Sequence, residues 1–177
     1  MTSHALIRVG LLVFALAASA LLGAGCAGYK LGPTNGMAAG SRSIQVNPFQ
    51  NQTLEPRLTD PVTSQVRKQL QQDGTFTLDT HDTGDLIVTG TLIEYRRFYL
   101  AFDPRDVVTP REFRVQVNAR VIVRERSTGR VVLDRNFIGH TEVRSNENLP
   151  NVERQAVPLI AADLARNITS AIVDGKW

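Results

Sequence analysis

The chain has 177 residues, 42% hydrophobic and 21% charged, an ordinary globular balance that excludes wholesale disorder and suits a single domain. Lys and Arg number 20 against 17 Asp and Glu, and this formal excess of +3 is scattered arginine rather than a basic block, so nothing in it argues for nucleic acid. The single cysteine, Cys26, excludes an intramolecular disulfide and a cysteine-based zinc site.

Residues 1–8 carry the initiator amine, His4 and Arg8 and no acid, and Val9 to Leu22 is an uncharged run of 14 residues rich in Leu, Val and Ala. That run is short for a bilayer-spanning helix and has the flanks of a secretory h-region. Gly23-Ala24-Gly25 leads into Cys26. The segment resembles a bacterial lipoprotein signal, which is cut just before a cysteine whose thiol carries diacylglycerol. One departure is Gly23, which stands where the pattern has Leu, with Leu22 one position earlier. The resemblance implies a signal peptide over residues 1–25 and lipid attachment at Cys26. Ala27, rather than Asp, follows the cysteine, which implies sorting to the outer membrane. Each buried acyl methylene contributes about 0.8 kcal/mol, so two or three chains anchor durably where one alone does not. The same stretch contains Gly23-x-Gly25-x-x-Gly28, the glycine spacing of a dinucleotide fingerprint. The fingerprint needs a strand before it and a helix after it, whereas an h-region precedes it and Gly32, Pro33 and Gly36 stop any helix.

Residues 26–42 are rich in Gly and small side chains and are expected as a tether, with a domain over residues 43–177. Ser43 to Phe49 alternates and predicts a first strand. Leu54, Leu58, Val62, Val66 and Leu70 recur every four residues and predict a helix. Thr59 or Asp60 would serve as its N-cap, Pro61 would take its first helical position so that the firm helix starts near there, and Gly74 would follow its end. Thr75 to Thr80 predicts a short strand and Leu86 to Tyr99 a long one. Gly90 inside the long strand signals a bulge or a close backbone approach. Asp103-Pro104-Arg105 and Thr109-Pro110 bracket an expected loop. The clearest element is Glu112 to Arg124, where Phe113, Val115, Val117, Ala119, Val121 and Val123 alternate with Arg114, Gln116, Asn118, Arg120, Ile122 and Arg124. Ser127-Thr128-Gly129 turns the chain into a partner strand, Arg130 to Val143. After a polar loop from Ser145 to Pro150, the ladder Ile160, Leu164, Ile168 and Ile172 predicts a terminal helix, kinked in its first turns at Pro158. The order β-α-β-β-β-β-α predicts an α/β two-layer sandwich, a mixed, mostly antiparallel sheet with two helices on one face.

Catalytic chemistry finds little support. His81 and His140 have no metal-ligand spacing, no G-x-S-x-G elbow occurs, and the one cysteine is assigned to lipid. No enzyme, catalytic residue, cofactor or metal is therefore expected. Asp79, Asp82 and Asp85 cluster beside His81 without the glycine placement and final Glu of a calcium loop, which favours a solvated turn. Two features remain as candidates. Arg96, Arg97, Arg111 and Arg114 lie at strand ends and on a polar face, where guanidinium forks suit phosphate or else pair with cross-strand acids such as Asp134. Phe98, Tyr99 and Phe102 form an apolar strand end that is either packed core or a partner-binding tip.

Cys26-Ala27-Gly28-Tyr29-Lys30-Leu31 is similar to the C-G-Y-x-L opening of LptE-like lipopolysaccharide-assembly lipoproteins, with one residue inserted. The pattern Ile44-x-Val46-x-x-Phe49-x-Asn51-x-Thr53-x-Glu55-Pro56 resembles that family's first strand and the approach to its helix. Asp85-Leu86-x-Val88-x-Gly90-x-Leu92-x-x-Tyr95 resembles its next long strand. The resemblance covers nearly all of the expected domain. It implies an outer-membrane, periplasm-facing lipoprotein whose partners are a large LptD-like β-barrel translocon and lipopolysaccharide; the candidate arginines, chosen on local chemistry alone, are expected to touch lipid A phosphates. A different class, a lipid-anchored regulator of peptidoglycan synthesis, shares the anchor and a small α/β domain. Fewer than 20 residues separate Cys26 from the first strand, a short reach for that role at about 3.3–3.6 Å per residue.

Overall fold

The strictly alternating segment becomes the centre of the sheet. In β5 (Asp106–Glu125) Phe113, Val115, Val117, Ala119, Val121 and Val123 are all fully buried on one face. The computed structural model describes residues 38–103, 106–144 and 149–175, with the backbone alone at 103, 106–111 and 149–151. The expected signal, Cys26 and the tether as far as residue 37 lie outside the described residues. Those described belong to one unit, Gly32–Trp177.

The other elements are β1 (Ser43–Val46), β2 (Gln50–Asn51), a 3-10 turn (Pro56–Leu58), α1 (Thr59–Asp73), β3 (Thr77–Asp79), β4 (Leu86–Asp103), β6 (Val131–Arg144) and α2 (Leu149–Val173). The strand order is β3-β1-β4-β5-β6, with β2 added beside β4. Strands β3, β1 and β2 join by parallel pairing, while β4, β5 and β6 form an antiparallel meander. Both helices pack on the face that carries the β5 valines. Val62, Val66 and Leu70 of α1 and Ile160, Leu164, Ile168 and Ile172 of α2 close the core. The expected sandwich of two helices on a mixed, mostly antiparallel sheet is the observed one. By length and composition Val152–Val173 is apolar enough to cross a membrane, but its apolar stripe is the wall of this core.

Several local expectations change. The first strand stops at Val46, and Phe49 turns inward to fill the space over Gly90, where an added Cβ would lie 2.1 Å from the ring. Close approach, not a bulge, explains that glycine; the bulge lies two residues on, between Leu92 and Glu94. Leu54 is not on the helix stripe but fully exposed on the bend before it. Neither Thr59 nor Asp60 is the N-cap, because the 3-10 turn feeds α1 directly through Leu58 and the side-chain cap is made a turn earlier, by Glu55 accepting from the Arg57 N–H. Pro61 falls in the first turn, where its missing N–H leaves no bond unmade. Gly74 ends the helix in the left-handed conformation, as expected. The predicted strand from Thr75 to Thr80 is shorter, Thr77–Asp79.

The bracketed loop is instead the continuation of a hairpin: β4 runs to Asp103 and β5 starts at Asp106. Pro110 is tolerated opposite Phe102 because the ladder is already irregular there, with register shifts at Tyr99/Ala101, Ala101/Phe102 and Phe102/Asp103. The terminal helix begins at Leu149, so Pro150 lies in its first turn rather than in a loop, and the element continues through Pro158 to Val173.

Candidate functional site

The β-bulge at Leu92/Glu94 decides where every candidate side chain of β4 points. Before it, Leu86, Val88 and Leu92 are buried; after it, the inward positions shift to Tyr95, Arg97 and Tyr99, opposite Val117, Val115 and Phe113. Adjacent strand residues alternate faces, and the bulge decides which of the two neighbouring arginines turns toward the helices. Arg96, opposite Gln116, lies on the outer face, whereas Arg97 lies on the helix face. Arg114, opposite Phe98, shares the outer face with Arg96, and the side chain of Arg111 lies outside the described residues. The three described candidates, Arg96, Arg97 and Arg114, are thus divided between two faces and form no single guanidinium cluster.

Each described candidate arginine has a carboxylate. Arg96 pairs with Glu94 at 2.6 Å and Arg97 with Glu153 at the start of α2 at 2.6 Å. Arg114 donates from Nε and Nη2 to Glu142 on β6, the shorter bond being 2.6 Å. Farther along the same face Arg120 grips Asp134 with two bonds of 2.8 and 2.7 Å. Hydrogen bonding from Arg114 and Arg120 holds the Glu142 and Asp134 carboxyls below the usual carboxylate range. Arg96, Arg114 and Arg120 against Glu94, Glu142 and Asp134 put three ion pairs on the outer face, beside exposed Phe98 and Ile138. Gln116 and Asn118, bonded to each other at 3.1 Å, fill its centre, and Asn118 reaches Glu94 at 3.0 Å. Asp134 was expected from the sequence as a cross-strand acid with no particular arginine assigned to it, and Glu94, Glu142 and Glu153 were missed. The i, i+2 spacing of Glu94 and Arg96 was a visible signal, since two residues apart on a strand share a face.

The apolar strand end is exposed rather than core: Phe98 40%, Tyr99 58%, Leu100 44% and Phe102 48%. Tyr99 and Phe102 stack loosely with ring centroids 6.1 Å apart. Below them Tyr95 faces Glu55, Arg57, Arg97 and Glu153, and its hydroxyl is buried with no hydrogen-bond partner among the described residues. Burial, helped by the two glutamates, pushes the phenol up to about 12.

The acidic turn is structural. Asp79 accepts from the Thr83 and Gly84 amides at 2.7 and 2.9 Å, Asp82 from Gln45 at 2.9 Å, and Asp85 from the Ser43 amide at 2.8 Å. His140 lies on the β6 edge, where its backbone N–H donates to Asp163 of α2 at 3.0 Å. Asn167, one helical turn on, donates to the Ile138 carbonyl at 2.8 Å. Two helix side chains therefore occupy the backbone groups of an otherwise open edge strand. Gly139 lets the helix come this near: an added Cβ there would lie 2.8 Å from the backbone of Ile160 and Leu164.

The fold recurs among solved structures of low sequence identity. A hypothetical protein of Chlamydia trachomatis is 10% identical with a TM-score of 0.59, over 78% of this chain and 98% of its own. A protein of Xanthomonas campestris is 11% identical with a TM-score of 0.55, over 83% of this chain and 93% of its own. A minor lipoprotein of Acinetobacter baumannii is 14% identical with a TM-score of 0.50, over 75% and 93%. These likenesses establish a shared fold. No curated protein matches the chain by sequence. The family model for LptE, lipopolysaccharide-assembly, matches residues 41–172, which is every strand and nearly all of both helices. The chain belongs to the LptE family of lipopolysaccharide-assembly lipoproteins, structural rather than catalytic proteins.

Proposed function

We propose that this chain is anchored through Cys26 to the outer membrane, faces the periplasm, and assists lipopolysaccharide assembly by occupying the lumen of a large LptD-like β-barrel. The observation that carries the reading is the family match over residues 41–172. The outer sheet face supports it physically. Arg96, Arg114 and Arg120 are paired with carboxylates within the domain and lie beside Gln116 and Asn118, a largely polar stretch that suits the polar interior of a barrel, with Phe98 and Ile138 as exposed apolar neighbours. The tether and the lipid are part of the same proposal: Gly40 bonds the Thr75 carbonyl and Arg42 pairs with Glu125, so the chain leaves the domain from a defined corner.

Arg96, Arg97, Arg111 and Arg114 remain the proposed contacts to lipid A phosphates. A phosphate reaching Arg96, Arg97 or Arg114 must compete with Glu94, Glu153 or Glu142, so each single replacement is expected to weaken capture only modestly. Phe98, Tyr99 and Phe102 are the proposed partner-binding tip. Tagged protein purified from outer membranes is expected to bring down a large heat-modifiable β-barrel, and the Cys26→Ser variant, which has no thiol to acylate, to lose metabolic labelling by palmitate. Recovery without any barrel would sink the reading.

A further inference from the structure

The sheet guards one of its edges and leaves another open. On β6, Asp163 and Asn167 of α2 occupy backbone groups of the edge. On the other side of the meander, β4 pairs with β1 over Leu86–Val88 and with β2 at Thr91 and Leu92. Beyond Leu92 no described strand lies beside it, and β4 itself becomes the edge.

The bulge sets which backbone groups this edge presents. The Leu92 carbonyl accepts from the Gln52 N–H at 2.9 Å, so Leu92 faces away from β5. The extra residue at the bulge then brings Glu94, Arg96 and Phe98 into the bonded positions opposite Asn118, Gln116 and Arg114. Tyr95, Arg97 and Tyr99 therefore turn their N–H and C=O groups away from β5, and among the described residues no hydrogen bond reaches them. A charge on an edge usually deters pairing, but that of Arg97 is neutralised by Glu153 at 2.6 Å.

The side chains along this edge are apolar and exposed on both faces of the sheet: Phe98 on the outer face, and Tyr99 with Phe102 beside its ring on the helix face. An occupant that dries this surface must also bond the backbone between those side chains, because a polar group cut off from water without a partner is costly. An acyl chain offers no such bonds. An extended strand does, with N–H and C=O groups at the right spacing and side chains that alternate to the two faces.

We propose that the β4 edge from Tyr95 to Tyr99 binds the β-barrel partner by strand addition, taking an extended segment with apolar side chains beside Phe98 and Tyr99. The inference rests on the reading of Phe98, Tyr99 and Phe102 as the partner contact, and it supplies the chemistry of that contact. Strands of a closed barrel have no free edge, so the segment comes from a loop or a chain end that reaches into the lumen. A second copy of this chain fits less well, since antiparallel pairing centred on Arg97 sets two arginines directly opposite each other.

The test uses the full chain, purified in detergent from outer membranes together with its partner. Arg97→Gln and Arg97→Pro both lose the ion pair to Glu153, but only proline removes the outward N–H, and an edge strand tolerates it. Arg97→Gln is expected to bring down as much barrel as the parent, and Arg97→Pro roughly tenfold less. Hydrogen exchange resolved by residue reads the same bonds in the unaltered chain. Free of the barrel, the Arg96 and Phe98 amides are expected to exchange slowly and those of Arg97 and Tyr99 fast, and the complex to slow the latter two by roughly tenfold or more. Equal capture by the two variants, or edge amides equally fast with and without the barrel, overturns strand addition and leaves the barrel reading standing. Edge amides protected in a homodimer also overturn it, because the occupant is then a second copy. A parent chain that recovers no barrel overturns both.

Discussion

Gly90 leaves the space that Phe49 occupies, and adding one methyl group there tests the packing directly. A Cβ at position 90 would lie 2.1 Å from Cε1, 2.3 Å from Cδ1 and 2.5 Å from Cζ of the Phe49 ring. Carbon atoms in contact sit about 3.5–4.0 Å apart, so the ring must retreat by about 1.5 Å. Phe49 is 2% exposed and surrounded by core, which leaves it nowhere to retreat without displacing neighbours. Overpacking of this kind costs about 1–3 kcal/mol. Swinging the ring into solvent instead forfeits burial worth about 1.5–3 kcal/mol. Gly90→Ala is thus expected to destabilise the domain by about 2–3 kcal/mol by whichever route is cheaper. Phe49→Ala alone empties the site and costs about 3–5 kcal/mol. In the double variant the new methyl group enters vacated space, so the combined cost falls short of the sum by at least about 1 kcal/mol. Urea unfolding of the chain lacking residues 1–37, followed by far-ultraviolet circular dichroism, reads each cost as a midpoint shift, about 1–2 M for the single glycine change. Strict additivity, or a Gly90→Ala midpoint indistinguishable from the parent, would refute the packing argument.

Removing Asp163 and Asn167 together, as alanines, uncovers the His140 N–H and the Ile138 carbonyl on the β6 edge. Water can replace both bonds, so the cost in stability is only about 1–2 kcal/mol. The main effect is expected in sedimentation velocity, as concentration-dependent self-association through the exposed strand. The Glu142 and Asp134 carboxyls, held down by Arg114 and Arg120, bind protons less readily folded than unfolded. Their contribution is therefore present above the unfolded values, about 4.3 and 3.9, and is lost as pH falls through the lower folded ones. Carboxyl titration by NMR is expected to show both midpoints depressed, and Arg114→Gln to return Glu142 to the ordinary range while leaving Asp134 unmoved. Tyr95→Phe deletes a buried hydroxyl that has no partner among the described residues, so urea unfolding is expected to find the variant as stable as the parent or up to about 1 kcal/mol more stable. The same phenol, raised to about 12 by burial, makes the folded state lose stability as pH rises from the unfolded value near 10 toward 12, and Tyr95→Phe is expected to remove that alkaline loss.

Most of the core was legible because its signals are local and periodic. Six apolar residues at period two in β5 and a four-residue ladder in each helix can bury their apolar side in only one way, and the named residues from Phe113 to Val123 and from Ile160 to Ile172 are fully buried. The candidate arginines were legible as residue types but not as an arrangement. Their directions depend on a single extra residue near Ile93, and one residue reverses the face of everything after it. Their partners come from β6 and α2, 28 and 56 residues away for Arg114 and Arg97. The strand end from Phe98 to Phe102 was ambiguous for the same reason: an apolar run is identical in sequence whether or not another element covers it.

By itself the sequence determined the α/β sandwich, the buried face of β5, both amphipathic helices, and the family pattern running through Phe49, Gly90 and Tyr95. Those follow from periodicity and from backbone demands that each residue carries with it. Only the tertiary structure decided which of Arg96 and Arg97 faces the helices, that Arg96, Arg97 and Arg114 are paired with carboxylates, that α2 covers the edge of β6, and that the strand end from Phe98 to Phe102 is exposed. These depend on register and on long-range proximity, which local propensities do not encode.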